Sequence, residues 1–591
     1  MERRVLLAIF LAFLVLFVWE RLFLRPAPKP APVAGAPPAA GTPTASGGAG
    51  TAPGSSATPA DKATPAPAAS TTPTPPQAEA AAPLVADAAE RDVKVETRDV
   101  IAVFTNRGAR LKSWRVKRYL DQQGQPQELV EQIPNQPLPF TLRTPDDAVS
   151  ATLNNGLYTV TGEPGGGEIS APVDLRFEYR DSGGVQAVKT FHLDPASYIV
   201  SYSGTVKQGD RELSPAIVWG PAIGDMSVQQ TYVKKSEALL FENGKVVRVA
   251  PSDIAKQPER DGDMGYVGVD DNYFLIAALQ PGPSKVTFQA ITIPPPPGTK
   301  TGHELVSYAI EAHRGDAPIK FFVGPKDFDV LNAIGPDVAK SINFGSILGP
   351  IVVPLLKSLK WVNGYVGNYG WSIIILTLII NAIMFPLRHK SVVSMRKMQE
   401  IQPEVKAIQE RYSKLKATDP QKQKMNTELM ALYKERGVNP ASGCVPMLLT
   451  MPFIFAFYTL LSTAIELRGA PWFGWIHDLS AYDPYYVVPI AMGASQIWQQ
   501  RLAPAAGMDP IQQKMMLLMP VFFTYLFLWY PSGVALYWFV NNIWAIGQQY
   551  LTNYMIGPPP NVQPAKGSAG ERRMKRAGSG KTDAAARDNS L

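Results

Sequence analysis

Residues 515–551 read MMLLMPVFFTYLFLWYPSGVALYWFVNNIWAIGQQYL, and no Asp, Glu, Lys or Arg occurs from 515 to 565. One helical crossing of a bilayer needs about 20 residues, so this run suffices for two. Pro531-Ser532-Gly533 supplies the tight turn between them, giving spans at about 515–530 and 534–551. Further charge-free runs at 361–387, 437–465 and 484–500 give spans at about 369–387, 443–465 and 486–500. Overall the 591 residues are 46% hydrophobic and 18% charged. It is the uneven placement of the charge, not its total, that makes this a membrane chain.

Val5 to Leu24, behind Glu2-Arg3-Arg4, is a sixth apolar stretch. It is long enough to span and has no clean small-x-small cleavage site after its core, so residues 1–25 read as an uncleaved anchor rather than a signal peptide. Six spans put both termini on one side. The segment 388–440 carries twelve Lys/Arg against six Asp/Glu, and the tail 556–591 carries seven against three. The loop 466–484 has one Arg against three acids, so the positive-inside rule places both basic segments and Met1 in the cytoplasm. The net charge of +7 is thereby read as a topology determinant rather than a nucleic-acid groove, and no DNA partner is expected.

The stretch 26–90 has fifteen prolines and no aromatic residue. It cannot bury enough apolar surface to fold and reads as a disordered, partly polyproline-like tether. From 91 to 342 the pattern switches to period two, as in Leu175, Phe177 and Tyr179, in Tyr198, Val200 and Tyr202, in Val286, Phe288 and Ala290, and in Ile319, Phe321 and Val323. With Gly, Pro and Asn punctuation this predicts a large antiparallel β-sandwich outside the cytoplasm. In 343–368, Ile351, Val352, Leu355, Leu356 and Leu359 share a face opposite Lys357 and Lys360, predicting an amphipathic helix lying on the membrane surface.

Within 388–440, Ile401, Val405, Ile408, Tyr412 and Leu415 follow a 4-3-4-3 spacing that Met425, Leu429 and Leu432 continue. Asp419-Pro420 starts the second helix, Gly437 stops it, and Pro403 interrupts the first. The prediction is an antiparallel helical hairpin in the cytoplasm.

Several chemistries are excluded. Cys444 is the only cysteine, so no intrachain disulfide or cysteine metal framework exists. The five histidines are scattered, so no metal site is expected, and no cofactor. Gly578-Ser579-Gly580-Lys581-Thr582 lacks the first glycine and the strand of a phosphate-binding loop.

What the spans do contain is uncharged polarity: Thr377 and Asn381, then Thr450, Thr459, Ser462 and Thr463, then Gln496 and Gln499, then Asn541 and Asn542. Such groups must face each other or water rather than lipid, either as interhelical hydrogen bonds or as the lining of a shared wet cavity. Soft apolar surfaces lie beside them: Met447, Met451, Phe453, Phe455 and Phe457 on one span, and Met515, Met516, Met519, Phe522 and Phe523 on another. They suit adaptable binding, core packing or lipid contact.

Gly437-Val438-Asn439-Pro440 leading to Gly443-Cys444-Val445-Pro446 and Met451-Pro452 forms one motif. Others are Asp483-Pro484-Tyr485-Tyr486, Asp509-Pro510 with Gln512-Gln513-Lys514, and Pro531-Ser532-Gly533 before Leu536-Tyr537. In this order they closely resemble the YidC-type membrane protein insertases, over about 340–555. The tethered β-domain resembles that of the Gram-negative members. The resemblance implies a polytopic α-helical inner-membrane protein with six spans and a five-helix insertase core at 369–555. It also implies a large periplasmic all-β sandwich and the cytoplasmic hairpin.

By the same resemblance, a hydrophilic groove open to cytoplasm and lipid accepts a client's polar segment while its apolar helix slides along the third and fifth spans. The groove contacts the resemblance carries over are Thr377, Tyr537 and Trp538, and Asn381, Arg388 and Gln496 are expected to join them from their positions in the spans. The implied apolar slide is Met451, Phe453, Phe457, Met515, Met519 and Phe523. No covalent chemistry is involved. Partners would be nascent membrane proteins, the bilayer, Sec translocon components, and the ribosome through Arg572, Arg573, Lys575 and Arg576 in the tail. Anionic lipid is the other ligand for those four.

The chain departs from the pattern where the family has its groove arginine. That position is Asn381 here, and Arg388, two turns nearer the cytoplasm, is the substitute expected; Trp538 replaces a frequent tyrosine. Two rivals are a secondary transporter or channel with a polar intramembrane cavity, and a structural anchor for the β-domain.

Overall fold

The computed structural model describes residues 82–121, 123–222, 236–293, 303–312, 317–345, 347–412, 421–438, 445–502 and 510–556. The anchor at 1–25, most of the linker, Asp419-Pro420, Cys444 and the tail with Arg572, Arg573, Lys575 and Arg576 lie outside these residues.

The β-domain forms where period-two segments find partners. Strands Asp92–Glu96, Val100–Thr105, Arg110–Leu120 and Pro126–Glu128 make an antiparallel meander. A larger sheet runs Val173–Asp181, Val185–Leu193, Ile199–Gln208, Ile319–Pro325, Phe274–Ile293, Glu259–Asp270, Glu237–Glu242 and Lys245–Val249, antiparallel throughout. Inward residues of both sheets meet as aromatics. Phe104 of the meander lies 4.8 Å from Phe191, and Phe140 packs on Phe191, Trp219 and Phe321. Trp114 Nε1 donates to the Val323 carbonyl at 2.9 Å, joining the sheets by a hydrogen bond.

One alternation departs from expectation. Val286 and Phe288 are buried, but Ala290 is exposed and Ile291 takes the inward place. The strand Phe274–Ile293 outruns its neighbour, whose pairing ends at Glu259 with Thr287, so its far end has no second strand to keep the faces distinct.

The helical part comprises α1 (Gly349–Val366), α2 (Tyr369–Glu400), α3 (Gln402–Arg411), α4 (Gln421–Glu435), α5 (Val445–Thr463), α6 (Val487–Leu502), α7 (Pro510–Phe527) and α8 (Ser532–Ile556). By length and composition one described helix, Tyr369–Met398, can cross a bilayer unaided; Met451–Thr463 and Leu517–Phe527 are shorter apolar helices. The span expected to end at Leu387 instead continues through Arg388 as one helix to Glu400, Pro386 included. The chain bends only at Ile401, and Pro403 stands in the first turn of α3, where its missing N–H costs nothing. Ile401, Val405 and Ile408 bury against Met425, Leu429 and Leu432. The Arg436–Glu404 ion pair and the Tyr412–Glu428 hydrogen bond make α3 and α4 antiparallel. Gly437, at φ +61°, ends α4, and Val438 N–H returns to the Tyr433 carbonyl at 2.9 Å.

The apolar stripe of α1 does not face a membrane. Val352, Leu355, Leu356 and Leu359 are buried in the shared core with Ile373 and Leu376 of α2 and Leu460 and Leu461 of α5. The large apolar residues left exposed are Trp361 and Tyr365, packed edge to face, with Val366 and, before the helix, Ile347. An interfacial role for α1 therefore rests on this aromatic pair.

The β-domain seats on the helices through the turn 271–273. Asn272 Nδ2 donates to the Ser462 carbonyl at the end of α5, and the Arg468 guanidinium lies over the rings of Tyr273 and Phe274 while donating to Gln127 at 2.8 Å. Lys360 of α1 pairs with Asp329 at 2.5 Å, Glu466 at 3.2 Å and Asp327 at 3.4 Å. Burial works against the Lys360 ammonium, but these three acids outweigh it and raise its pKa. Burial raises the Glu466 pKa, with Lys360 opposing.

Asp271 anchors the turn by accepting from Tyr273 N–H at 2.8 Å and Phe274 N–H at 2.7 Å. Burial, opposed by those two bonds, moves its pKa from 3.8 to about 6. A pKa higher in the folded than in the unfolded state means stability is fully present below about pH 4 and is lost as pH rises through about 6, by on the order of 3 kcal/mol. Asp271→Asn keeps the acceptor oxygen and removes the titration. Its thermal midpoint should gain on the parent's progressively between pH 4.5 and 7, as followed by calorimetry in detergent; a constant difference would contradict the account.

Candidate functional site

Thr377, Asn381 and Arg388 stand one and two turns apart on α2, hence on one face. Asn381 is buried and fully engaged. Its Nδ2 donates to the Thr377 carbonyl and to Asn541 Oδ1 of α8, both at 2.8 Å, and its Oδ1 accepts from Arg388 Nη1 at 2.6 Å. The amide thus ties two helices together and holds the guanidinium. Among the described residues no carboxylate forms an ion pair with Arg388.

Arg388, Gln496, Tyr537, Trp538 and Asn541 line one cavity of about 480 Å³, with Gln499 and Gln549 completing its polar wall. Gln496 Oε1 is a buried acceptor without a partner. Toward Thr377 the space shrinks to about 20 Å³ between Asn381, Phe453, Phe457, Tyr537 and Asn541, room for about one water. The constriction is made by Phe457 and Tyr537, stacked at 4.6 Å and 8°. Beyond it the chain is packed shut: Gly533 N–H donates to the Leu479 carbonyl and Ser532 N–H to the Ala481 carbonyl. Asp483, wholly buried, accepts from Trp475 Nε1 and from the backbone N–H groups of Tyr485 and Val488, fixing the start of α6.

All six expected groove residues thus gather at two adjoining cavities, Thr377 and Asn381 in the narrow one, Gln496 and Trp538 in the wide one, Arg388 and Tyr537 in both. Asn541, noticed in the sequence only as a polar residue at depth, is the missing partner. Its one-turn spacing from Tyr537 was the available clue.

Thr463 and Ser462 of α5 do not join them. Thr463 Oγ1 donates to the Thr459 carbonyl and Ser462 Oγ to the Tyr458 carbonyl, so both hydroxyls are spent on their own helix. Asn542 also lines the wide cavity, with its amide tied to α6, donating to the Met492 carbonyl and Ser495 Oγ at 3.1 Å. The side chain of Thr450 lies outside the described ones.

The expected apolar slide divides. Phe457 is buried against Tyr537 and Phe453 lines the narrow cavity, so these two face inward rather than toward lipid. Met451 is half-buried, and Phe523 stacks on Trp538 at 5.8 Å. Met519 is exposed, within a continuous outer face of α7 that includes Leu517, Leu518, Val521, Phe522 and Tyr525. A contiguous exposed apolar face of this kind marks a site of membrane or protein contact. Of Met515 and Met516 only the helical backbone is described.

Comparison with known proteins places these features in a family. The model described as 60Kd inner membrane protein matches residues 361–558, and that of the YidC periplasmic domain matches 92–358. The chain is 33% identical over 567 residues to the membrane protein insertase YidC of Syntrophus aciditrophicus, covering 94% of this chain and 99% of that one. It is 37% identical over 397 residues to the protein so named in Geobacter sulfurreducens, covering 65% and 71%. Among solved structures it is similar to an active YidC insertase with the first transmembrane domain resolved, at 20% identity, 80% and 95% coverage and a TM-score of 0.33.

Helix α6, which lines the cavity through Gln496 and Gln499, packs closely on α7. A Cβ added to Gly493 would lie 1.9 Å from Thr524 Oγ1. Gly493→Ala should cost about 1–3 kcal/mol, read as a lower thermal midpoint in detergent, and adding Thr524→Ala should return most of it. A Gly493→Ala protein that melts with the parent would mean that the helices have slack there.

Proposed function

The chain belongs to the YidC family of membrane protein insertases, and on that premise we propose that the cavity around Arg388 is where a client's polar tail leaves water. The helical hairpin, both termini and the mouth of the cavity face the cytoplasm, and the β-domain the periplasm. The carrying observation is that Asn381, at the place of the family's groove arginine, holds Arg388 by a 2.6 Å hydrogen bond at the wall of a 480 Å³ cavity. The cation is displaced toward the mouth rather than lost.

The work is physical. A charged residue at the centre of an inserting helix costs roughly 2.5 to 3.5 kcal/mol, and amides, hydroxyls and water in the cavity replace part of its lost hydration. Gln496 Oε1, buried without a partner, is an acceptor available to a client N–H. Arg388, unpaired with any described carboxylate, attracts an acidic tail. The client's apolar helix supplies the driving free energy, about 25 cal/mol per Å² removed from water, along the exposed face of α7 that carries Met519. Phe457 and Tyr537 bar the way across until the tail displaces them. No bond is made or broken, and no cofactor is needed.

Small clients would use the protein alone and larger ones use it beside the Sec translocon. Arg572, Arg573, Lys575 and Arg576 in the tail are offered to the ribosome or anionic lipid. Among the described residues lining the cavity there is no carboxylate and no histidine, which gives the transporter alternative no support there.

The test is insertion into liposomes containing only the purified protein, scored by protease protection of a single-span client with a short N-tail. With two acidic residues in the tail, Arg388→Ala should reduce protection about tenfold, the equivalent of ~1.4 kcal/mol, and Arg388→Lys much less. With an uncharged tail the variants should match the parent. Equal insertion of acidic-tailed clients by Arg388→Ala would remove Arg388 from the mechanism.

A further inference from the structure

Arg388 leans the wrong way for an arginine close to the end of its span. The rise from 381 to 388 is about 10.5 Å. A guanidinium nitrogen 2.6 Å from Asn381 Oδ1 therefore belongs to a side chain drawn back along α2, toward Thr377. Lys390, Arg396 and Lys397 follow on the same helix in the opposite direction. Long cationic side chains at such a place ordinarily snorkel outward and carry their charge to water. Here the Asn381 oxygen holds the charge inward, and Arg388 lines the narrow cavity beside Thr377 as well as the wide one.

The holder is itself fixed. A guanidinium only donates, so the amide must turn its oxygen to Arg388 and its nitrogen away. Both N–H groups of that nitrogen are taken, one by the Thr377 carbonyl and one by Asn541 Oδ1, each at 2.8 Å. Asn541 is oriented in turn by its own Nδ2, which donates to the Tyr537 carbonyl at 3.3 Å. The bond from Asn381 to Asn541 joins α2 to α8, but the bond to Arg388 adds nothing to that join, because both of its partners lie on α2. What it does fix is the place of Arg388, the only cation among the described residues lining either cavity.

We propose that Asn381 is a positioning residue: by holding Arg388 inward it sets the depth at which the groove's cation meets an acid, and so selects client tails by where along them the acid lies. The inference rests on the reading of the cavity as the path of the client's tail. Set free, the side chain swings to the other side of its Cα and carries the charge roughly 8 Å outward, the length of two to three residues of an extended tail at about 3.3 Å each. An ion pair drawn from about 4 Å to about 9 Å apart keeps less than half of its attraction.

The test uses the full chain in liposomes and clients whose uncharged tails carry a single Asp, moved one position at a time. Each is scored by protease protection relative to the Asp-free client. For the parent this ratio should peak at one position, at about threefold. Asn381→Leu, which matches the size and lacks the oxygen, should move the peak by about two to three residues, and Asn381→Gln, which keeps the oxygen, by no more than about one. Arg388→Ala should abolish it. If the thermal midpoint shows that Asn381→Leu does not fold, Asn381→Asp takes its place. A carboxylate of the same shape holds the guanidinium but neutralises it, and the profile should flatten. A peak unmoved in Asn381→Leu, or undiminished in Asn381→Asp, would overturn the inference while leaving Arg388 as the attracting group. A peak that survives Arg388→Ala, or a parent with none, would overturn the role given to Arg388 and this inference with it.

Discussion

A guanidinium carried to bilayer depth has to be hydrogen-bonded or wet, because its transfer into hydrocarbon is among the costliest a side chain can make. Arg388 meets both conditions. Asn381 accepts from one of its N–H groups, and the residue lines the 480 Å³ cavity. Asn381 can do this only because Asn541 and the Thr377 carbonyl take both its own N–H donors, which commits α8 to α2. The polar wall of the groove and the join between the two longest helices are thus one hydrogen-bonded set. Its loss would release a helix as well as a charge.

A second constraint is the seating of the β-domain. A turn at 271–273 and the residue after it carry much of it, through contacts to the helical part or its flanking loop. These are Asn272 on the end of α5, and Tyr273 and Phe274 under Arg468. Lys360 of α1 is shared among acids from both parts, Asp327 and Asp329 from one and Glu466 from the other. Buried ion pairs of this kind seldom add much net stability, but they penalise any other arrangement by leaving a charge unpaired. They specify one orientation of the β-domain on the helices, and α1 is the part they pass through.

How much of this the sequence made legible follows from how local each feature is. The Thr377, Asn381, Arg388 face was readable because all three lie within one helix and their spacing alone aligns them. Pro403 and Gly437 acted as read because proline and glycine effects are intrinsic to the backbone. Phe457 was misread because an aromatic on a span has the same sequence appearance whether it meets lipid or, as here, Tyr537 on another helix. The stripe on α1 failed likewise, since a face buried by α2 and α5 and one buried by a bilayer are equally apolar. Arg468 was beyond reach, because its partner Gln127 lies 341 residues away. Continuation of α2 past Leu387 was hidden by charge, which marks where a helix leaves the membrane and not where it ends.

The geometry of the cavity limits what it can spare a client. From Arg388 back to Thr377 is eleven residues, about 16 Å, roughly half of a 30 Å hydrocarbon core. At the far end stand the stacked rings of Phe457 and Tyr537 and then the closed loop around Leu479 and Ala481. On the proposed reading, a tail drawn in by Arg388 is sheltered at most to the 20 Å³ constriction beside Thr377, and crosses the rest against a desolvation cost the protein does not relieve. That cost rises with every polar residue carried, while the driving term, one apolar helix leaving water, is fixed. A half-depth groove thus suits short tails with few charges, and longer or more charged ones require a second device to span the remaining distance.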